Sequence, residues 1–458
     1  MTGLLRIEAR RNPAPLVLPL LAFLVLLPLL AQNLSPVALW LERSVDVERS
    51  IQIAGPFAAA AAAWTASREH RRQMADLLAS TPRNPYARTL AAWLVSLGWM
   101  AAFYVALAAV YLSITATQAT WGGPQWWPVI DGLAALIMCS AAGFALGLLL
   151  RTRFTTPLAA VGTLAAILGL MSTAANSQAA GIGLLSPIYP AFGLNASVFW
   201  APQPDLSILK IVCYLGVLGL ALGLAAWHFR ADRPSVRRAG AALLAAGLAV
   251  SAAAGGLNAT ARVGNHGIIV PAFHNAAADH AVRYTPVCSH TPLPVCVHPA
   301  YDGGSELAVL ASLINKIAAP LAGTPAMPTR AEQAPAAQLG YGGLQGDPPV
   351  LFIQPFIIHG TSLQPPAFAE YFAETIALSL VIPGHSPIAG ATPAQRAIAL
   401  YLLRQAHDPT VPGLFPPDPA VPAAAARFAA ESPAARTAWL ATHLAALRAG
   451  HLTPQDIP

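Results

Sequence analysis

Long apolar stretches alternate with short polar loops over the first 257 residues of the chain. A helix that crosses a bilayer needs on the order of 20 mostly apolar residues, because the hydrocarbon core is about 30 Å thick. Seven stretches satisfy this requirement: Leu16–Leu34, Glu48–Ala66, Leu90–Ile114, Val129–Leu150, Thr155–Ala174, Leu206–Phe229 and Ala239–Leu257. The pattern predicts an α-helical polytopic membrane protein with about seven transmembrane helices, in a domain that covers residues 1–257.

The pattern changes after Leu257, where apolar spans cease and proline, histidine and polar residues become frequent. We expect residues 258–458 to form a separate, mixed but mainly α-helical domain, since about 200 residues are enough for a hydrophobic core of their own. The predicted elements are an extended segment over Val282–Tyr301, a buried strand over Pro349–His359, and helices over Glu306–Ala318, Pro366–Val381, Thr392 to about Ala406, and Ser432 to Gly450.

Composition agrees with a membrane location. The chain of 458 residues is 55% hydrophobic and only 10% charged, whereas a soluble domain carries roughly a quarter charged residues. Before the first span, Leu4, Leu5 and Ile7 alternate with charged residues, which predicts a short interfacial helix. A cleaved signal peptide is the alternative, but the following apolar run is long and lacks a convincing small-residue cleavage site.

Arginines predict the orientation, because short cytoplasmic loops of membrane proteins are rich in Lys and Arg. Fourteen arginines fall on one side of the predicted spans: Arg6, Arg10, Arg11, Arg68, Arg71, Arg72, Arg83, Arg88, Arg151, Arg153, Arg230, Arg233, Arg237 and Arg238. The opposite loops hold only Arg43 and Arg49, and Lys210 lies just inside the sixth span. We therefore expect a multi-pass protein of the cell membrane, with a cytoplasmic N-terminus and an extracytoplasmic C-terminal domain.

The net charge is +8 over residues 1–257 and −2 over residues 258–458. This asymmetry is explained by topology, and no basic patch with interleaved aromatic residues of the kind that binds single-stranded nucleic acid is present. We expect the lipid bilayer, and no nucleic acid, among the partners.

The most charged stretch of the chain is Ser67–Arg88, between the second and third spans. Ser67 suits an N-cap, and Pro82 would end the helix. Its apolar residues recur at helical spacing: Met74, Leu77 and Leu78. The segment is predicted to be an amphipathic helix on the inner membrane face; a solvated loop that merely obeys the positive-inside rule is the alternative.

A second unusual loop covers Ala175–Asp205, between the fifth and sixth spans. It is almost uncharged and mixes glycine, proline and aromatic residues. Such a loop can return into the membrane where neighbouring protein satisfies its backbone. We therefore expect a re-entrant segment there.

This order of features resembles the membrane subunit of a type 2 ABC transporter, an exporter-type permease, over about residues 1–230. The resemblance implies that the loop near residues 67–82 carries a coupling helix that docks on a separate ATPase, and that Gly181–Ala196 matches the family's outer re-entrant helices. The candidate partner-binding residues are Arg68, Glu69, Arg71, Arg72, Asp76 and Leu77. It also implies a second permease subunit, identical or not. A seventh span and a large C-terminal domain depart from the family plan, so the resemblance gives no substrate.

The chain contains no G-x-x-x-x-G-K-[ST] phosphate loop, which agrees with ATP hydrolysis on a partner chain. No H-E-x-x-H or G-x-S-x-G motif is present either. We expect a transport subunit that is not itself an enzyme and that holds no cofactor.

Four residues of the C-terminal domain have metal-ligand chemistry: Cys288, His290, Cys296 and His298. A Cys2His2 zinc site is geometrically possible, but paired cysteines outside the cell usually oxidise. A Cys288–Cys296 disulfide and no metal is the favoured prediction. In the spans, Cys139 and Cys213 are expected to be small apolar fillers, and Asp131 an interfacial cap at the start of the fourth span.

Two other classes of function remain open. The spans could hold an extracytoplasmic binding or sensor domain that is itself the functional part, without any ATPase. A membrane hydrolase is the third class, and neither a nucleophile motif nor a metal signature supports it.

Overall fold

The structure is a computed structural model. It describes residues 2–12, 14–31, 37–68, 85–150, 152–176, 183–188, 198–201, 203–228, 234–263, 269–302, 306–324, 327–334, 343–353, 358–359, 362–363, 366–382, 390–406 and 418–458.

Helices account for nearly all of the described N-terminal part. They are α1 (Thr2–Arg11), α2 (Ala14–Ala31), α3 (Trp40–Arg49), α4 (Ile51–Ala66), α5 (Pro85–Gln118), α6 (Trp126–Leu149), α7 (Thr155–Asn176), α8 (Asp205–His228) and α9 (Pro234–Asn258). Within the described residues, five helices are long and apolar enough to cross a membrane: Tyr86–Gln118, Trp126–Leu149, Thr155–Thr173, Asp205–His228 and Pro234–Asn258. These helices are consistent with a multi-pass membrane protein.

The first two predicted spans form shorter apolar helices. Helix α2 has 18 residues and α4 has 16. The second predicted span began at Glu48, but the break between helices falls at Ser50, because Ser50 closes the charged helix α3 and opens α4. In the described part of the chain, five helices therefore meet the length and composition of a membrane span, and the full set of seven stays a prediction.

Small residues bring the helices close together. A Cβ atom at Gly147 of α6 would lie 2.7 Å from the Ala63 carbonyl oxygen of α4, and one at Gly143, a turn earlier, would overlap the backbone of Ala59. Glycines at four-residue spacing let two helix backbones approach closely in membrane proteins. Helix α6 is thereby fixed against α4.

Glycines also allow close packing between α8 and α9. A Cβ atom at Gly247 of α9 would lie 2.6 Å from the Gly216 carbonyl oxygen of α8, and one at Gly223 would lie 2.8 Å from Leu244. Helices α8 and α9 therefore pack as a close pair.

Large apolar side chains remain exposed on the outside of the bundle. On α7 they include Leu158, Val161 and Leu168, and on α9 they include Leu248. A contiguous apolar exterior is unfavourable in water but matches lipid chains. The outer faces of α7 and α9 therefore suit a bilayer.

Part of the uncharged loop between α7 and α8 returns to the helices. Ser186 donates a hydrogen bond to the Ile167 carbonyl at 2.9 Å, and the Tyr214 hydroxyl donates one to the Leu185 carbonyl at 2.7 Å. Ile167 precedes the end of α7 by nine residues, which is about 13 Å along a helix. Residues 183–188 thus lie about 13 Å before the C-terminal end of α7; most of the predicted Gly181–Ala196 segment lies outside the described residues.

The C-terminal part contains a five-stranded mixed sheet. Its strands are β3 (Val287–Cys288), β4 (Val295–Val297), β5 (Arg330–Gln333), β6 (Gly343–Gln345) and β7 (Val350–Ile353). They lie in the order β3-β4-β5-β7-β6, with β4, β5 and β7 parallel and the two edge strands antiparallel. Two-stranded ribbons are formed by β1 (Arg262–Val263) with β2 (Ile269–Val270) and by β8 (Ile358–His359) with β9 (Ser362–Leu363).

Helices pack around the sheet to make one large core. They are α10 (Glu306–Ala318), α11 (Pro366–Val381), α12 (Pro393–Arg404), α13 (Ala420–Ala430) and α14 (Pro433–Arg448). The core includes Val295 and Leu351 of the sheet, and it also includes Val37 and Leu39 from the segment before α3. The C-terminal domain therefore incorporates residues from the N-terminal part of the chain.

The helices predicted over Glu306–Ala318 and Pro366–Val381 are confirmed with those bounds. The start signal at Thr392 is confirmed as a capping box, in which Thr392 and Gln395 satisfy each other's backbone amides. Gly450 has φ +73°, a left-handed conformation that glycine adopts without strain, and it follows the end of α14.

Candidate functional site

The predicted coupling segment is described only at its first end. Of the predicted partner-binding residues, Glu69, Arg71, Arg72, Asp76 and Leu77 lie outside the described residues. Arg68 lies directly after α4, and its guanidinium donates to both carboxylate oxygens of Glu8, at 2.9 and 3.0 Å. A bidentate pair of this kind fixes direction as well as distance. It attaches the N-terminal helix α1 to the point where the basic loop begins.

The N-cap role of Ser67 stays a prediction, because the amides that its hydroxyl would cap lie outside the described residues. Ser67 closes α4, and its hydroxyl donates to the Ala63 carbonyl at 2.7 Å. A serine in the last turn of an apolar helix can use this backbone acceptor, which competes with a capping role. Met74, Leu77 and Leu78, the predicted apolar face, lie outside the described residues.

A buried polar cluster lies near the other end of the bundle. The Lys210 ammonium donates to Glu48 Oε1 at 2.5 Å and lies 3.6 Å from Asp131 Oδ2. All three side chains are at most 1% exposed. We call these three residues the acid–lysine cluster.

Three helices position the acid–lysine cluster. Asp131 and Lys210 each lie five residues after the first residue of their helices, α6 and α8, and Glu48 lies in the last turn of α3. Five residues correspond to about 7.5 Å along a helix. The cluster is thus set below the helix ends, inside the protein.

One sequence interpretation changes here. Asp131 is not an interfacial cap, because Gln125 precedes α6 and Asp131 faces Lys210 inside the bundle. Lys210, which the sequence places just inside the sixth span, has its ammonium buried between two acids. An ion inside a helix bundle requires such partners.

Several acceptor atoms of the cluster have no hydrogen-bond partner among the described residues. They are Glu48 Oε2 and both carboxylate oxygens of Asp131, and the buried Ser207 hydroxyl also lacks one. Buried polar atoms are usually satisfied. The buried carboxylate oxygens thus lie near two donor groups, the Lys210 ammonium and the Ser207 hydroxyl, without ideal hydrogen bonds to all of them.

A second polar layer lies one turn from the cluster, toward the start of α3. Arg43 donates to Gln118 at 3.3 Å and lies over the ring of Tyr111. The Tyr111 hydroxyl donates to Asp46, which also faces Arg49 at 3.5 Å. This layer connects α3 to the end of α5.

The two parts of the chain meet at His298. Its ring contacts Trp121, from the loop between α5 and α6, with centroids 4.4 Å apart, and it also contacts Tyr284 and Phe199. Burial lowers the pKa of His298 to about 4, so the imidazole is neutral. Its Nδ1 accepts from the Ala300 amide at 3.1 Å. His298 acts as an aromatic core residue of the domain junction.

A cavity of about 90 Å³ opens beside this junction. Three tryptophans contribute to its wall, together with Leu39 and Val282. These tryptophans are Trp40, Trp121 and Trp200. The cavity can take a small apolar or aromatic group.

Cys288 and Cys296 are direct partners in the antiparallel pair of β3 and β4, and a disulfide joins them. A zinc site would require both thiolates, and the disulfide uses both sulfur atoms. His298, which the zinc alternative also required, is enclosed by aromatic rings instead. No group of three His, Cys, Asp or Glu side chains suited to a metal ion occurs within the described ranges.

His274 links the C-terminal domain to the start of α8. Its two ring nitrogens face Asp205 at 2.6 Å and Asp279 at 3.0 Å. Burial opposes a charge on the ring, but hydrogen bonds to Asp205 and Asp279 outweigh burial and raise the pKa of His274. We call this arrangement the His274 clamp.

No protein-family model, curated protein or solved structure matches this chain. Its function is therefore argued from the geometry above.

Proposed function

We propose that the chain is the permease subunit of an ABC transporter, which moves a substrate across the cytoplasmic membrane and is powered by a separate ATPase. Two permease subunits, identical or not, would pair around the path. ATP binding would push on the loop near residues 67–82 and tilt the spans.

The observation that carries this proposal is the ion pair between Glu8 and Arg68. An ATPase bound at the basic loop must transmit force to the membrane-spanning helices. A flexible connection between the loop and these helices would not transmit that force. The bidentate contact ties α1 to the end of α4, and α1 also packs against α5. The first helix and both helices that border the loop thus form one unit on which a partner could act.

Seven crossings are part of the proposal. Helix α2 is apolar throughout, and α3 and α4 follow each other with only Ser50 between them. Together α3 and α4 extend for about 40 Å at 1.5 Å per residue, which exceeds the hydrocarbon core. With these two crossings the N-terminus is cytoplasmic and the C-terminal domain extracytoplasmic. The position of residues 183–188, below the outer end of α7, supports a re-entrant segment like that of exporter-type permeases.

The test is co-purification from the native host. The tagged full-length chain is isolated from membranes, and bound proteins are assayed for ATP hydrolysis and for a chain with a phosphate-loop motif. We expect such a chain with the wild type and at least a tenfold smaller yield with R71A/R72A, since both substituted residues belong to the proposed docking loop.

The matched control is R237A/R238A. It removes the same number of positive charges from another arginine pair of the same predicted side, at the start of α9, and should retain the ATPase. Equal retention by R71A/R72A and R237A/R238A, or no ATPase with the wild type, would overturn the proposal.

A second candidate function is an anchored binding domain, and the tryptophan-lined cavity favours it. In that case the cavity binds an apolar or aromatic group at the domain junction and no ATPase is required. An ATPase gene beside this one would favour the transporter, and a histidine kinase or sigma-factor gene would favour the sensor.

A further inference from the structure

The acid–lysine cluster has an unbalanced charge. Glu48 and Asp131 contribute two negative charges when ionised, and Lys210 contributes one positive charge. All three side chains are at most 1% exposed, so water does not compensate the difference. An uncompensated charge in such a place is strongly unfavourable.

Neighbouring groups do not restore the balance. Arg49 follows Glu48 in α3 and attracts its carboxylate, but it also faces Asp46 at 3.5 Å and its side chain is 43% exposed. The phenol groups of Tyr104 and Tyr214 approach from α5 and α8 and carry no charge at neutral pH. The thiols of Cys139 and Cys213 are buried and neutral. Asp46 belongs to the second polar layer, where the Tyr111 hydroxyl and Arg49 face it.

Hydrogen bonding of the two carboxylates is also incomplete. Glu48 Oε2 and the two oxygens of Asp131 are buried acceptors without a partner among the described residues. A protonated carboxyl supplies an O–H donor, which two ionised carboxylates cannot. One added proton would therefore correct the charge and supply a further O–H donor beside these oxygens.

We propose that Glu48, Asp131 and Lys210 form a proton-binding site in which the two carboxyl groups share one exchangeable proton beside the charged lysine. The bound species is a proton and not a metal ion, because the Lys210 ammonium already occupies the position between the acids. When the proton binds, an O–H bond forms on one carboxylate oxygen and the cluster changes from a net charge of −1 to zero.

The site joins two helix pairs of the bundle. Lys210 is on α8, which is closely paired with α9 through glycines, whereas Asp131 is on α6, which is fixed to α4. Separation of α8 from α6 would withdraw the ammonium from the acids and increase their affinity for protons. By linkage, proton binding then biases the position of the α8–α9 pair. This property does not depend on an ATPase partner.

Infrared spectroscopy of the purified full-length protein tests the proposal, because the C=O stretch of a protonated carboxyl is separate from that of a carboxylate. The probe is the solvent proton, and exchange into D₂O shifts the band. We expect E48Q and D131N each to remove the intensity of one protonated carboxyl from the wild-type spectrum near neutral pH. Either substitution leaves one acid and one lysine, which balance each other without a proton.

K210M should have the opposite effect. It leaves two acids and no cation, so the spectrum should gain the intensity of about one further protonated carboxyl. The control is E8Q, which removes an acid that is paired with Arg68 and should leave the protonated band unchanged.

The proposal is overturned if E48Q and D131N both leave the band unchanged, or if only one of them removes it, since a shared proton must be lost in both. Should K210M fail to fold, as judged by gel filtration and circular dichroism, the E48Q and D131N spectra decide alone.

Discussion

At the scale of single residues, Lys210 is a fully buried basic residue in the described part of the membrane domain. Moving an ammonium ion from water into a protein interior costs several kcal/mol unless partners compensate. Two acids surround Lys210, and this is more negative charge than one ammonium needs. A purely structural ion pair would be served by one acid, so the additional acid is the informative feature.

His274 gives a prediction about pH. The raised pKa of His274 means that the folded protein holds a proton on this ring more tightly than the unfolded chain does. The resulting stability is fully present below the unfolded value of about 6.5 and is lost as pH rises through the folded value. H274Q should therefore lower the melting temperature at acidic pH, by an amount that corresponds to roughly 1.5–3 kcal/mol for a hydrogen bond to a charged group, and less at alkaline pH.

Melting curves of wild type and H274Q over a pH series measure this effect. H280Q is the control, because His280 is a nearby exposed histidine that bonds only a backbone carbonyl in the described structure. If the difference in melting temperature between wild type and H274Q is the same at every pH, protonation of His274 does not stabilise the folded protein.

The residues of the acid–lysine cluster show what a single sequence conveys at this scale. Each lies near the end of a predicted span, and each alone resembles an ordinary interfacial charge. Lys210 and Glu48 are 162 residues apart, and no local pattern indicates that they meet. The available signal was that opposite charges occur at similar depth on the same predicted side, although only helix packing brings them into contact.

At the scale of elements, the close approach of α4 and α6 depends on the lack of side chains at Gly143 and Gly147. G143A should destabilise the protein by about 1–3 kcal/mol, because a Cβ atom there overlaps the Ala59 backbone, which has no freedom to rotate away. Thermal denaturation in detergent, followed by circular dichroism, measures the loss.

G162A is the matched control. Gly162 lies on an exposed part of α7, and a Cβ atom there would meet nothing within 4 Å. It should be neutral or slightly stabilising, since alanine favours a helix over glycine by roughly 0.5–1 kcal/mol. Similar melting temperatures for G143A and G162A would contradict the packing argument.

Helix bounds were more predictable than strand order. The helix over Glu306–Ala318 has an apolar face at helical spacing, and Thr392 and Gln395 carry a local start signal, so both follow from neighbouring residues. Strand β6 pairs with β7, yet β7 also pairs in parallel with β5. That order depends on contacts between distant segments, which a local pattern does not contain.

At the scale of the whole molecule, the arginine asymmetry predicts the orientation, and thiol labelling can measure it. In the described residues Cys139 and Cys213 are buried, and Cys288 and Cys296 are bonded to each other, so the wild type should react little. We expect A430C, in the C-terminal domain, to react with a membrane-impermeant maleimide in intact cells.

S235C, at the exposed start of α9, should react only after the cells are permeabilised. The reverse pattern, or labelling of both variants in intact cells, would refute an odd number of crossings with a cytoplasmic N-terminus, and it would remove the basis for an ATPase at the basic loop.

The presence of Val37 and Leu39 in the C-terminal core has a practical consequence for preparing that part by itself. A secreted fragment that starts at Asn258 would lack both side chains. The apolar residues of the C-terminal core that Val37 and Leu39 cover would then be exposed to water. Such a fragment is prone to self-association, whereas grafting the residues around Val37 and Leu39 onto its surface through a short linker should restore a soluble monomer.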